Sequence, residues 1–233
     1  VDFSSSPYLD VSVQAPILGE VLPQNIGTMK WDGKIPFKHT EKLYIKRSDD
    51  FDEDRLAPQW QWNYQPRKDY FSLTERPGWL RLKAYRPLET NNLLKAGNTL
   101  TQRTFRKQNN DVTIKMDISN MQDGQKNGLC HFSSQHSAIG IVKEEDACYL
   151  EYRKNGNITK GIQIHSEFVW FRTEWGMDGK SQYYYSLDGD NFLPFGEKYQ
   201  LTWGNYRGDR IGIYCFNDKK ETGSVDVDYC HYR

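Results

Sequence analysis

Several things are scarce in this 233-residue chain, and each scarcity closes off a class of function. No apolar run approaches the roughly 18 residues that a membrane-crossing helix needs, so no membrane-embedded role is expected. Charge of one sign is missing as well: 31 Lys and Arg balance 31 Asp and Glu. Without a net field, neither nucleic acid nor an anionic membrane is an expected partner. Cysteine is sparse, with four residues at 130, 148, 215 and 230 and no C-x-x-C spacing. That excludes a zinc ribbon and a small disulfide scaffold, and it favours buried cysteines acting as small hydrophobes on strands. Should one bridge form in an oxidising compartment, Cys130–Cys148 is the expected pairing. The five histidines (39, 131, 136, 165 and 231) show no metal-ligand spacing, and no G-x-S-x-G elbow exists for a serine nucleophile. A starting methionine is absent too, and an opening at Val1 reads as a processed or excised fragment.

Aromatic residues are plentiful: 14% of the chain, with 15 Tyr and 7 Trp. Most suit the half-buried surface of pleated strands, and the remainder are candidates for stacking on the apolar faces of sugar rings. Strand patterns fall at 79–85, 99–105, 111–119, 128–133, 137–142, 147–153, 158–165, 167–174, 181–187, 199–203, 210–216 and 224–232. Val112, Ile114, Met116 and Ile118 alternate with Thr113, Lys115 and Asp117, which buries one face and wets the other. Asp123-Gly124, Asn155-Gly156, Asp178-Gly179 and Asp188-Gly189 supply the positive-φ positions that tight turns require. Only Leu88 to Ala96 is compatible with helix, and it is short. A dozen strands at this spacing predict an all-β, two-sheet antiparallel sandwich or jelly roll over residues 49–233. Residues 1–48 differ: Pro7, Pro16, Pro23 and Pro36 interrupt every apolar stretch, so an irregular extension or linker is expected there.

Candidate chemistry is thin. Gly179-Lys180-Ser181 resembles the end of a phosphate loop, but Glu174 stands where the first glycine belongs, and a hairpin is the better reading. Glu144 and Asp146 match two positions of the E-x-D-x-x-E strand of laminarinase-type glycosidases, but Tyr149 occupies the third. That leaves no acid and nucleophile pair. Gln163-Ile164-His165 and Arg172-Thr173-Glu174 resemble the two strands with which jelly-roll alginate lyases place a base and neutralise a uronate. Here their order is reversed and the family's late tyrosine motif is missing. Asn157-Ile158-Thr159 matches a glycosylation triplet that arises readily by chance. Asp50 and Asp52 enter the first strand while Asp228 lies in the last. If the two ends of the domain meet, these three are the candidate ligands of a structural Ca2+.

Larger signatures carry a resemblance. Asp50-Phe51-Asp52, Trp60-Gln61-Trp62, the stretch from Ser72 to Leu82, Gln102-Arg103, Asn127-Gly128-Leu129, Phe171-Arg172, Tyr185 to Gly189 and Gly212-Ile213-Tyr214 occur in this order. Together they resemble the C-terminal concanavalin A-like sandwich of glycoside hydrolase family 43, the β-xylosidase and α-L-arabinofuranosidase group. The resemblance spans residues 49 to 233, with Asn127 and Cys230 departing from the family's usual alanine and aromatic. It implies a non-catalytic accessory module that packs on a five-bladed propeller catalytic domain and that, in some members, binds xylan-type oligosaccharide. The family's catalytic carboxylates belong to the propeller, so none is carried over. A secreted or periplasmic setting is expected over a cytoplasmic one. The alternative is a stand-alone sandwich enzyme, a lyase or glycosidase acting on its own concave face. Alternation assigns the candidate sugar-binding residues. If Val169, Phe171 and Thr173 face inward, then Trp170, Arg172 and Glu174 face outward, Tyr184 lies outward between Tyr183 and Tyr185, and Tyr149, Glu151 and Arg153 lie opposite Leu150 and Tyr152. One sheet face would then present Trp170, Tyr184 and Tyr149 for stacking, with Arg172 and Glu151 for hydroxyl hydrogen bonds.

Overall fold

Two antiparallel sheets account for nearly all regular structure in the computed structural model, which describes residues 46–202, 204 and 208–233. The expected extension over residues 1–48 lies outside these residues except for its last three. The strands are β1 (Gln61–Trp62), β2 (Phe71–Ser72), β3 (Leu80–Lys83), β4 (Thr99–Arg103), β5 (Asn110–Asp117), β6 (Gln125–Phe132), β7 (His136–Glu144) and β8 (Ala147–Lys154). They continue with β9 (Asn157–Ile164), β10 (Phe168–Trp175), β11 (Lys180–Ser186), β12 (Leu193–Pro194), β13 (Tyr199–Gln200), β14 (Arg210–Asn217) and β15 (Ser224–Tyr232). One sheet has seven strands in the order β1-β4-β14-β6-β7-β8-β9. The other has eight, ordered β12-β11-β10-β5-β15-β3-β2, with β13 also pairing to β11.

The predicted sandwich is therefore observed, and the period-2 pattern states why each strand lies as it does. In β5, Val112, Ile114 and Met116 are fully buried, and in β10 so are Val169, Phe171 and Thr173. They meet Leu129, Ile139, Ile141, Leu150, Ile211 and Ile213 of the seven-stranded sheet in one core. The glycines of the four turns all adopt positive φ, and at the β8–β9 hairpin Asn155 does so as well (φ 49°, with Gly156 at 90°). Two consecutive positive-φ residues give the turn whose twist matches a two-residue hairpin.

The Trp60-Gln61-Trp62 run contains the short strand β1, and the two-residue strands β2 and β12 are added, too short to show a period. Two readings are corrected. Leu88 to Ala96 forms turns and a single 3-10 turn over Leu93–Lys95. Its apolar residues Leu93 and Ala96 pack onto the exterior of the seven-stranded sheet with Phe132, Tyr214 and Phe216, so tertiary packing decides its shape. The Cys130–Cys148 bridge is not formed, and all four cysteines are free. Cys130 on β6 and Cys148 on β8 are separated by β7, about 9–10 Å across two strand spacings, beyond the ~7 Å that a disulfide spans. Their side chains also belong to opposite faces of the sheet.

The two ends of the described unit do meet. Asp49 and Cys230 exchange backbone hydrogen bonds of 2.9 and 2.7 Å. The buried Asp49 carboxylate accepts the Trp60 indole N–H at 2.7 Å and the Phe51 N–H at 3.1 Å, which anchors Trp60 of the W-x-W run in the core. The last strand is an interior strand, flanked by β5 and β3.

Candidate sugar-binding face

The exterior of the eight-stranded sheet carries most of the expected site. Trp170 and Arg172 of β10 point outward beside Tyr184 of β11, with Arg172 directly opposite Tyr184 in register. All three are half-buried while their neighbours Val169, Phe171 and Tyr183 are fully buried, so alternation assigned these side chains correctly. Phe192 lies under the Arg172 guanidinium at 3.6 Å, and Arg172 donates to the Thr113 hydroxyl at 3.0 Å. The Asp188-Gly189 turn folds against the Trp170 indole: a Cβ on Gly189 would approach the ring to 3.1 Å, and φ there is 85°. Asp188 holds that turn by accepting Asn191 and Asp190 N–H groups and the Ser186 hydroxyl, and these bonds keep its carboxyl well below the usual range. Burial pushes the Tyr184 phenol up, and the nearby Glu174 charge adds to the rise.

The aromatic surface continues across the sheet beyond the residues that the sequence singled out. Lys115 of β5 lies 5.1 Å from the Trp79 ring, 5.3 Å from Phe168 and 5.8 Å from Trp170, and it pairs with Asp228 at 2.7 Å. A bulge between Val227 and Tyr229 resets the parity of β15, which brings Tyr229 and His231 onto the exterior, stacked at 4.0 Å. Extending the alternation to β3 and β5 finds Trp79 and Lys115. Tyr229 has no such signal, because the bulge is a pairing feature. Farther along, the buried Asp226 takes a bidentate bond from Arg81 (2.7 and 2.8 Å) and one from Arg76 (2.9 Å), while Arg76 also reaches Asp117 at 2.6 Å. Asp226 thereby raises the Arg81 pKa despite partial desolvation. Burial pushes the Asp117 carboxyl up, but the Ser119 and Arg76 hydrogen bonds outweigh it and hold the group below its ordinary value.

Tyr149 and Glu151 do not join this face. Both sit on β8 of the seven-stranded sheet, so the one-face grouping is corrected. Tyr149 is capped by the Lys160 ammonium, 3.6 Å from its ring centre. Glu151 is buried and bonded to Arg153, whose guanidinium is closed off by Asn91 (2.8 Å to Oδ1). The Leu88–Ala96 segment covers this position, so Glu151 offers nothing to a sugar hydroxyl. Nor are the lyase-like runs gathered: His165 follows the edge strand β9 of one sheet, and Arg172 faces outward on the other. Glu144 and Asp146 flank the exposed β7–β8 turn.

The calcium reading fares no better on geometry. Among the described residues no three His, Cys, Asp or Glu side chains group to hold a metal ion. Asp50 pairs with His231 at 2.7 Å, and Asp228 is taken by Lys115. Asp52 lies near Gly78, where a Cβ would be 3.5 Å from its carboxylate oxygen. The three carboxylates as arranged do not fit a Ca2+ shell.

Comparison with known proteins gives the lineage. Residues 48–233 match the family described as the β-xylosidase C-terminal concanavalin A-like domain of glycoside hydrolase family 43. The chain belongs to that family. A β-xylosidase of Formosa agariphila is 35% identical over 207 residues, covering 80% of this chain and 35% of that protein. A putative β-xylosidase of Xylanibacter ruminicola is 30% identical over 200 residues, covering 84% and 36%. The chain thus spans about a third of the length of these relatives. Among solved structures, a bifunctional GH43-CE protein of Bacteroides eggerthii superposes with a TM-score of 0.73 at 29% identity, covering 80% of this chain and 25% of that one. A xylan β-1,4-xylosidase of Bacillus halodurans shares the fold (TM-score 0.67, 20% identity, 84% and 41% covered). Residues 48–233 of this chain are thus a domain of the kind found at the C-terminus of family 43 β-xylosidases.

Proposed function

We propose that this module serves a xylan-degrading enzyme as a non-catalytic accessory domain whose ligand face is the exterior of the eight-stranded sheet. One observation carries the reading: Trp170, Arg172 and Tyr184 stand together, half-buried, on the outer face, flanked by the Gly189 turn against the Trp170 ring and by Phe192 against Arg172. A rigid aromatic platform with a guanidinium at its rim suits the apolar ring face and equatorial hydroxyls of a xylan-type oligosaccharide. Two relatives named as β-xylosidases support the substrate class. A partner five-bladed propeller supplies the hydrolytic carboxylates.

Sugars are well hydrated and a shallow platform buries little of them, so affinity lies between about 0.1 and 1 mM, roughly 4 to 6 kcal/mol. Titration calorimetry with xylohexaose on the wild type and on Trp170→Ala tests it. Trp170→Ala should lose about 1–2 kcal/mol of binding. Absence of heat with both proteins leaves only the packing role.

A further inference from the structure

The same sheet exterior ends in a second feature that the aromatic platform does not use. Between β2, β3 and β15 lies a cleft of about 530 Å3, lined among others by Tyr70, Glu75, Lys83, Glu221, Thr222 and Ser224. Its volume falls in the range of small-ligand sites. Most of its charges are paired, Lys83 to Glu75 at 2.5 Å, Arg67 to Glu221 at 2.9 Å and Arg81 of the lining to Asp226 at 2.7 Å, while Asp69 of the lining is exposed to solvent. The Tyr70 hydroxyl donates to the second Glu221 oxygen at 2.9 Å.

A cleft of this kind discriminates by charge. An anion would have to displace Glu75 or Glu221 from its cation, which loses an ion pair for each one gained. A cation would have to displace Lys83 or Arg67 in the same way, or settle for the solvent-exposed Asp69, where a single ion pair contributes little. A neutral polyhydroxylated ligand has no such conflict, because each hydroxyl both donates and accepts. Carboxylate lone pairs and ammonium protons left over from the pairs then serve it, and hydrogen bonds to ionised groups are the stronger ones.

Position links the cleft to the platform. Trp170 is on β10 and Lys83 on β3, with β5 and β15 between. Three strand spacings separate them, roughly 14 Å across the sheet, and the register adds an offset of roughly 15 Å along it, because Trp170 is level with Tyr229 of β15 and Lys83 with Ser224; the diagonal is about 20 Å. Along that line the exterior presents Lys115, Trp79 and the Arg76–Asp226–Arg81 lattice, with the Arg76 guanidinium 3.8 Å over Trp79. The surface between is thus aromatic and polar throughout, with no apolar strip and no unpaired charge among the groups named.

We propose that the cleft is a second subsite for a neutral glycan, and that one oligosaccharide chain runs diagonally over the sheet from the Trp170 platform to Tyr70 and Glu221. The extension rests on the platform reading for its first anchor. The two sites bind as one because a chain held at Trp170 presents its distal units to the cleft at high effective concentration.

Calorimetry with xylobiose and xylohexaose tests it on the full chain, with Tyr70→Phe/Glu221→Gln and Trp170→Ala as variants. Wild type should bind xylohexaose at least about tenfold tighter than xylobiose. The double variant, whose changes are at exposed or half-exposed side chains, should bind xylobiose as before and lose most of the gain with length. Equal affinity for both sugars in the wild type overturns the subsite while leaving the platform standing. So does a gain with length that survives the double variant. If Trp170→Ala changes neither sugar's affinity while the double variant abolishes binding, the platform falls and the cleft stands alone. Failure of both sugars to bind wild type removes both readings.

Discussion

Acidification from pH 7 to pH 5 should cost this domain about 4 kcal/mol of stability through two buried histidines. His131 sits between the sheets with its ring ringed by Trp175, Tyr183 and Tyr199, and only the Thr173 hydroxyl bonds to it, at 2.9 Å. Burial pushes its pKa down to about 3. His136, buried at the start of β7, is pushed down to about 4 by burial and by the Arg153 charge. An unfolded histidine titrates near 6.5, so below that pH the unfolded chain binds protons that the folded one refuses. Stability is then complete above about pH 6.5 and falls with decreasing pH, at up to about 1.4 kcal/mol per unit for each group, until the folded pKa is reached. Between pH 7 and 5 each histidine accounts for roughly 2 kcal/mol. That sum is a large part of the 5–15 kcal/mol typical of a domain. Carboxylates with depressed pKa values, such as Asp117 and Glu75, lose their contribution only at lower pH, so the window isolates the histidines. Urea unfolding at both pH values measures the loss, with His131→Gln and His136→Asn each expected to remove about half of it. A wild-type loss below about 1 kcal/mol, or an unchanged loss in the double variant, would refute the reasoning.

Other outcomes follow from the packing. Gly140→Ala should prevent folding or cost more than about 4 kcal/mol, because a Cβ there would lie 1.9 Å from the Asn127 carbonyl oxygen and 2.4 Å from the Tyr214 hydroxyl; expression with a native near-ultraviolet dichroism spectrum would contradict it. Tyr183→Phe removes a buried hydroxyl that accepts from the His131 N–H and donates to the Ser137 carbonyl, for a loss of about 1–3 kcal/mol in urea unfolding. Thiol titration should find four reactive cysteines after denaturation without reductant, and a count of two would restore a disulfide. Calcium in excess after chelator treatment should leave the melting temperature unchanged, since Asp50 and Asp228 are already paired; a rise of several degrees would reveal a site.

How far the sequence reached depends on which interactions are local. Alternation in a strand is a local property, so residues 168–175 and 180–186 disclosed by themselves that Trp170, Arg172 and Tyr184 face away from the core. The Asp-Gly and Asn-Gly pairs disclosed the turns, because positive φ is a property of single residues. The same rule placed Tyr149 and Glu151 on the outer side of their strand, also correctly. It could not say of which sheet, and the two outer sides of a sandwich lie back to back. That assignment rests on long-range pairing: β10 between β11 and β5, β8 between β7 and β9. Nor does a local pattern show that Leu93 and Ala96 fold over Tyr214 and Phe216 and seal Glu151 away. The bulge in β15 that turns Tyr229 outward is likewise absent from any periodicity. Sequence determined the direction of each side chain within its strand, whereas sheet order and loop burial arise from contacts between residues far apart in the chain, and only the tertiary structure decides those.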